Sequence, residues 1–182
     1  MKIRRTGTQL NNKGFSLVEL IVVIAIMVVL VAAVVASSSM MDSSYVKDAE
    51  RGIKDYISTA RSKSMSVVAK EWCVKITKED DSYVVQLIKT VEEDGELKTK
   101  IVDSYDLGKK IIITFGDQMK VGVDETTPLS LYFNSSTGKI SKVLYGDQQC
   151  NISSGLGYIG IKCGSYDIVL KVFYNTGKCE RE

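Results

Sequence analysis

The segment KGFSLVELIVVIAIM, residues 13–27, decides how this chain is organised, because one carboxylate, Glu19, stands inside a run that is otherwise apolar. The 17 residues 20–36 carry no charge and no hydrogen-bonding side chain. A helix over residues 15–36 is about 33 Å long at roughly 1.5 Å per residue. A bilayer core is roughly 30 Å thick. The sequence therefore predicts a membrane-spanning helix over residues 15–36.

Glu19 is the residue of this helix whose insertion into a bilayer is energetically unfavourable. A carboxylate costs about 2.5–3.5 kcal/mol at the bilayer centre on insertion scales and less near the interface. Residues 15–36 contain no cation that could pair with it. Because an intramembrane carboxylate indicates a function, we expect Glu19 to pair with a cation on another molecule.

A short basic leader, residues 1–14, precedes the apolar run. It contains Lys2, Arg4, Arg5 and Lys13 and no acidic residue. Positively charged flanks stay on the cytoplasmic side, so we expect the C-terminal body to lie outside the cytoplasm. The whole chain has a formal charge of +2 and the leader has +4, so the chain without its leader has 2 − 4 = −2.

The heptapeptide GFSLVEL, residues 14–20, followed by an aliphatic helix, resembles the class III signal of type IV pilins and type II secretion pseudopilins. In that family a prepilin peptidase cuts after the glycine and methylates the new amine of the phenylalanine, which implies cleavage between Gly14 and Phe15 and N-methylation of Phe15. The implied partners are other pilin or pseudopilin subunits, the prepilin peptidase and an inner-membrane assembly platform. The implied location is the bacterial cytoplasmic membrane, as a single-pass protein with its C-terminal domain outside the cytoplasm, and then a pilus or pseudopilus.

Cleavage after Gly14 would also supply the cation that Glu19 lacks. The α-amine of Phe15 would have a pKa of about 7.7–8.0 and be mostly protonated at neutral pH. The ammonium of one subunit and Glu19 of its neighbour would neutralise each other, and removing one partner of a buried pair typically costs about 3–5 kcal/mol. Such a contact joins different sites on two chains, so it is heterologous and builds a helical filament when it does not close. Glu19 is therefore predicted to be the assembly residue.

Two other interpretations of the N-terminal segment stay open. In one, the chain is a membrane-anchored surface protein unrelated to pili, and Glu19 merely lies at the interface. In the other, the segment is a secretory signal peptide that is cleaved before Ser37. Its apolar run is longer than the usual length of about 7–15 residues, and this interpretation leaves Glu19 unexplained.

The pattern after the apolar run predicts an amphipathic continuation of the helix. Apolar or small residues recur at three- and four-residue spacing to about Ala69; they include Val46, Ala49, Ile53, Tyr56, Ala60 and Ser64. The predicted organisation is a cleaved leader (1–14), a long N-terminal pilin helix (15–69) and an extracytoplasmic β-rich globular domain (70–182). The predicted fold class is α+β, with the amphipathic half of the helix packed on an antiparallel β-sheet.

From Trp72 onward the hydrophobic period changes to two, which predicts short strands. The strand segments are 72–78, 83–90, 98–105, 110–115, 119–123, 129–134, 138–145, 156–162 and 166–174. The best hairpin turn is Glu93-Asp94-Gly95. We expect one twisted antiparallel sheet or a pair of sheets.

Two segments of the body have similar sequences, FNSSTGK at 133–139 and YNTGK at 174–178. Each is an aromatic strand end followed by a polar turn, in which Gly138 and Gly177 would supply a positive φ. A strand followed by an F-x-x-x-x-G turn resembles the globular domain of the GspH/FimT group of pseudopilins and minor pilins. Two ordinary hairpin turns are the alternative. The resemblance implies a low-abundance minor pilin or pseudopilin.

Four cysteines, Cys73, Cys150, Cys163 and Cys179, lie in the part predicted to be outside the cytoplasm, where disulfides can persist. Three pairings are open on sequence alone. A Cys150–Cys163 bond would close a loop and contribute about 3 kcal/mol in the chain-entropy model, which leaves Cys73 for Cys179. Free buried thiols are the competing expectation. The chain has no C-x-x-C and no histidine, so we expect no metal site.

The sequence offers little support for an enzyme. It has no histidine, the commonest general base. Ser44-Tyr45-Val46-Lys47 matches S-x-x-K, but the companion S-D-N and K-T-G elements are absent. We expect no catalytic residues and no cofactor.

One binding function remains open, that of a DNA-binding minor pilin for natural transformation. It would require several Lys and Arg side chains on one exposed surface. The candidates are sparse: Lys139, Lys142, Lys171, Lys178 and Arg181.

Overall fold

The fold is that of a computed structural model. It describes residues 16–66, 71–93, 95–116 and 121–182, except the side chains of 34–39. The described residues form an α-helix and two antiparallel β-sheets, so the α+β class predicted from the sequence is confirmed. The leader and Phe15 lie outside the described residues.

Eleven strands follow the helix α1 (Leu17–Ser66). They are β1 (Glu71–Glu79), β2 (Ser82–Glu93), β3 (Glu96–Gly108), β4 (Ile112–Phe115), β5 (Val121–Gly122), β6 (Leu129–Phe133), β7 (Ile140–Tyr145), β8 (Gln148–Gln149), β9 (Leu156–Cys163), β10 (Tyr166–Phe173) and β11 (Lys178–Arg181). One sheet has the order β3-β2-β1-β6-β7-β8 and the other β11-β10-β9-β4-β5. Nine of the eleven strands coincide with segments predicted from the period-two pattern; β8 and β11 do not.

The chain divides into two compact units, Met1–Ser38 and Ser39–Glu182. Helix α1 contributes residues to both units, and its second half belongs to the same unit as the strands. The sequence predicts a helix to about Ala69, and α1 ends at Ser66; residues 67–70 lie outside the described part of the chain.

In the first unit, the described large apolar side chains of α1 are 44–74% exposed. They point to all sides of the helix, because nearly every position from 17 to 31 carries one. Within the described residues, no helix has the length and apolar character needed to cross a membrane.

In the second unit, the apolar stripe of α1 enters the core. The five residues Val46, Ala49, Ile53, Ile57 and Ala60 are at most 1% exposed and join one cluster with side chains of both sheets. Gly52 lies on the same side of the helix: a Cβ there would come within 2.8 Å of the Tyr105 ring on β3. The helix therefore contacts β3 closely at a position where only glycine fits.

The first two hairpin turns of the six-stranded sheet use a left-handed backbone. The predicted turn joins β2 to β3, and its Gly95 has φ +81°; Asp94 lies outside the described residues. The shorter turn joins β1 to β2 through Asp80 and Asp81, at φ 46° and 76°. Two-residue hairpin loops with positive φ at both positions match the twist of the strands, and Asp tolerates that conformation.

Candidate processing and assembly site

Ser16 caps the start of helix α1. Its side-chain oxygen accepts a hydrogen bond from the backbone N–H of Glu19 at 3.2 Å, and its carbonyl accepts from the N–H of Leu20 at 3.2 Å. A serine followed three residues later by a glutamate is the sequence pattern of a capping box. The helix therefore begins at Leu17, directly after its capping residue.

The first turn of α1 gives Glu19 a local role that sequence reasoning missed. It is the acidic residue of that turn, where the helix dipole favours a negative charge by about 0.3–1 kcal/mol. The signal that could have revealed this role is Ser16-x-x-Glu19. Because the cap uses only the backbone N–H of Glu19, the exposed carboxylate stays available for a charge on another chain.

The predicted cleavage residues Gly14 and Phe15 lie outside the described residues. Phe15 directly precedes Ser16 in the chain, so an amine made there by cleavage would lie next to the N-cap of α1. The positive end of a helix dipole disfavours a second positive charge. A nearby carboxylate would offset this repulsion.

The two glycine turns with similar sequences, at 133–139 and 174–178, contact each other in the structure. The N–H of Ile140, just after the first turn, donates to the carbonyl of Tyr174 at 2.9 Å. Gly138 and Gly177 have φ +65° and +64°, as predicted, and a Cβ on Gly177 would lie 2.0 Å from the carbonyl oxygen of Gly138. Arg61 of α1 lies beneath both turns. The repeated segment thus joins the two sheets to the helix.

The four cysteines are free thiols, so the predicted Cys150–Cys163 and Cys73–Cys179 disulfides are not formed. Cys150 lines a cavity of about 360 Å³ together with Leu156, at the start of β9. Cys163 ends that strand, roughly 20 Å away at about 3.3 Å per residue. A disulfide needs Cα atoms about 4.4–6.8 Å apart. The span of β9 therefore separates these two cysteines.

Cys73 and Cys179 are separated by a sheet. Trp72 and Val74, the neighbours of Cys73 on β1, both belong to the core cluster, so Cys73 points to the opposite face of its sheet. Cys179 packs against the core itself. Spacing along the chain does not reveal which face of a sheet a residue occupies, which is why the sequence left this pairing open beside free thiols.

The environment of the thiols keeps them protonated at neutral pH. Burial, followed by the charge of Glu71, raises the pKa of Cys73 to about 12. Burial also raises the pKa of Cys179 to about 12 and raises that of Cys150. The pKa of Cys163 is raised by burial and by the Asp42 carboxylate. Thiols that stay protonated are poor nucleophiles.

The five candidate cations for DNA binding do not share one environment. Lys171 forms an ion pair with Glu182 at 3.0 Å, and Arg181 lies 3.9 Å from a Glu50 oxygen. Lys142 lies over the ring of Tyr132. The remaining two, Lys139 and Lys178, directly follow the glycines of the paired turns. DNA binding therefore remains a prediction that no contact among the described residues favours.

Residues 9–35 match the family model of the prokaryotic N-terminal methylation motif. The chain carries a class III signal, as type IV pilins and pseudopilins do. The matched residues include Gly14, Phe15 and Glu19. No curated protein and no solved structure matches the chain.

Proposed function

We propose that this chain is the precursor of a structural filament subunit, a minor type IV pilin or a type II secretion pseudopilin. Prepilin peptidase cleaves it between Gly14 and Phe15 and methylates the amine of Phe15. The observation that carries the proposal is the methylation motif over residues 9–35, which contains both residues of the cleaved bond and Glu19.

The precursor is held in the cytoplasmic membrane by residues 15–36, with the body outside the cytoplasm. Two features support this arrangement. Residues 20–36 carry no charged side chain, and the described apolar side chains of that segment are exposed on all sides of α1. A helix that is apolar all round needs an apolar surrounding. The basic leader supports the orientation through the positive-inside bias.

After cleavage, the subunit assembles through its N-terminal helix. The ammonium of one subunit pairs with the Glu19 carboxylate of the next, and the assembly platform of the inner membrane receives the subunit. The exposed position of Glu19 and the fact that the Ser16 cap leaves its carboxylate available support this pairing. The contact is heterologous, so repetition gives a filament.

The body supports a minor subunit over a shaft subunit. The F-x-x-x-x-G turn at 133–138, which resembles the GspH/FimT group, contacts the second glycine turn and Arg61 of α1. A repeated turn that joins helix and sheets is a structural element of the body and more than a hairpin connection.

Co-expression of the full chain with a prepilin peptidase tests the processing step. With active peptidase we expect a product shorter by the 14-residue leader, and Gly14→Leu should stay at the precursor length. Ser16→Ala is the matched control, because it lies outside the cleaved bond and should be cut like the wild type. A wild-type chain that stays uncut while the same peptidase processes a known prepilin would contradict the proposal.

A further inference from the structure

Strand β3 is the long open edge of the described sheets. The other edge strands are short: β5 and β8 have two residues each and β11 has four, whereas β3 has 13. Proteins usually shorten or cover an edge strand, because its unpaired backbone N–H and C=O groups can pair with another chain. Residues 96–106 of β3 are all exposed. This edge is therefore suited to accept a strand.

The side chains of β3 add apolar surface to that edge. Leu97, Ile101, Val102 and Tyr105 are 65%, 54%, 44% and 44% exposed. Leu97 and Ile101 share one face of β3, since their register partners Glu92 and Ile88 lie on one face of β2. Tyr105, opposite Val85, lies on the other face, towards α1. Exposed apolar side chains beside an open edge favour a protein partner.

Lys100 faces a like charge on the neighbouring strand. Its register partner on β2 is Lys89, and like charges directly opposite each other are destabilising. None of the ion pairs among the described residues includes Lys100. A carboxylate that arrived from the open side of β3 would offset this repulsion.

We propose that β3 pairs with β3 of a second copy of this chain, antiparallel and in a register centred between Ile101 and Val102. This register places Lys100 opposite Asp103 of the second copy, twice by symmetry, and Ile101 opposite Val102. Asp103 and Lys100 are three residues apart, yet they lie on the same face, because Val102 has no register partner on β2 and forms a bulge between them. Their own register partners, Leu87 and Lys89, are two residues apart. The Lys100 and Asp103 charges of two copies are therefore complementary in this register.

The Asp103 carboxylate accepts a hydrogen bond from the backbone N–H of Ser104 at 2.9 Å. It also lies close to Tyr56 of α1, whose pKa is raised to about 12 by burial, followed by the interaction with Asp103. Because the contact is isologous, it closes as a dimer and does not propagate. It is distinct from the filament contact of the proposed function.

Exchange of the two charges tests the pairing. Two differently tagged full-length copies are co-expressed and extracted in detergent, and both carry Glu19→Ala so that the helix-to-helix pairing does not contribute. We expect Lys100→Asp in both copies, or Asp103→Lys in both copies, to reduce co-purification at least tenfold. One copy with Lys100→Asp and the other with Asp103→Lys should restore it to within about twofold, because each Asp then meets a Lys.

The matched control exchanges Lys162 and Asp167, an exposed cross-strand pair on β9 and β10, and should change nothing. Restoration in the mixed sample also shows that both variants fold. The proposal is overturned if the unexchanged copies do not co-purify, if the single changes have no effect, or if the mixed sample stays as low as the single changes. The last result would indicate a partner other than a second copy.

Discussion

The backbone N–H of Glu19 donates a hydrogen bond to the side-chain oxygen of Ser16 at 3.2 Å. Ser16 therefore caps the helix, and it would be the second residue of the chain after the predicted cleavage. Two functions of this segment can therefore be separated. The Ser16 hydroxyl stabilises the helix start, and the Glu19 carboxylate carries the charge proposed for assembly. A variant of each residue tests one function alone.

Glu19→Ala should reduce incorporation into filaments at least tenfold, because the loss of one partner of a buried charge pair costs about 3–5 kcal/mol. The N-cap bond survives, since it uses only the backbone of residue 19. Cleavage by the peptidase should continue. The measurement is the amount of subunit in sheared filaments relative to the membrane pool.

Ser16→Ala is the control for that experiment. It removes the cap at a typical cost of about 1 kcal/mol and keeps the Glu19 charge. Incorporation should stay within about fivefold of the wild type, since roughly 1 kcal/mol is a factor of about five. Equal losses in the two variants would mean that the helix start, rather than the charge, governs assembly.

Gly177→Ala should unfold the body at a markedly lower temperature. The new Cβ would lie 2.0 Å from the carbonyl oxygen of Gly138, and residue 177 has φ +64°. We expect a loss of more than about 3 kcal/mol in the free energy of unfolding. Gly95→Ala, at φ +81° with open space around it, should lose only about 1–2 kcal/mol. Thermal unfolding in detergent compares them; equal losses would refute the contact between the two turns.

Ile53→Ala should destabilise the body by about 2–5 kcal/mol, because Ile53 is fully buried in the core cluster. Ile24→Ala is its matched control on the same helix, since the Ile24 side chain is 54% exposed. It should leave the unfolding of the body unchanged. Chemical denaturation of the two variants decides whether the two halves of α1 differ as the structure shows.

Alkylation should find four free thiols in the unfolded, unreduced protein. In the native protein, Cys150 should react first, because it is half-buried and lines a cavity. Cys73 should react last, because it is buried and its pKa is raised to about 12. Peptide mass spectrometry of a time course gives the order. A Cys150–Cys163 or Cys73–Cys179 bond in the unreduced sample would contradict the structure.

The alternation of side chains was enough to predict most of the sheet residues. It could not predict β8 or β11, because the segments Gln148–Gln149 and Lys178–Arg181 contain no run of alternating apolar residues. The turn at Asp80 and Asp81 takes a positive φ without glycine, a conformation that the pattern did not indicate. The division into two sheets depends on which distant strands pair, and a local pattern carries no information about that.

The candidate site was visible in the sequence because its chemistry is local. Gly14, Phe15 and Glu19 lie within six residues, inside the matched motif. The cysteine pairs failed for the opposite reason: whether they can bond depends on the length of β9 and on the two faces of β1. The contact between Gly138 and Gly177 could also not be predicted from the sequence, although the repeated turns indicated both positions.

The intact mass and N-terminal sequence of the protein from its native membrane are the sharpest test of the proposed processing. We expect a chain that begins at Phe15, with one added methyl group on its amine. A chain that begins at Ser37 would contradict it, because Glu19 and the apolar helix would then be removed with a signal peptide and no filament could form through them.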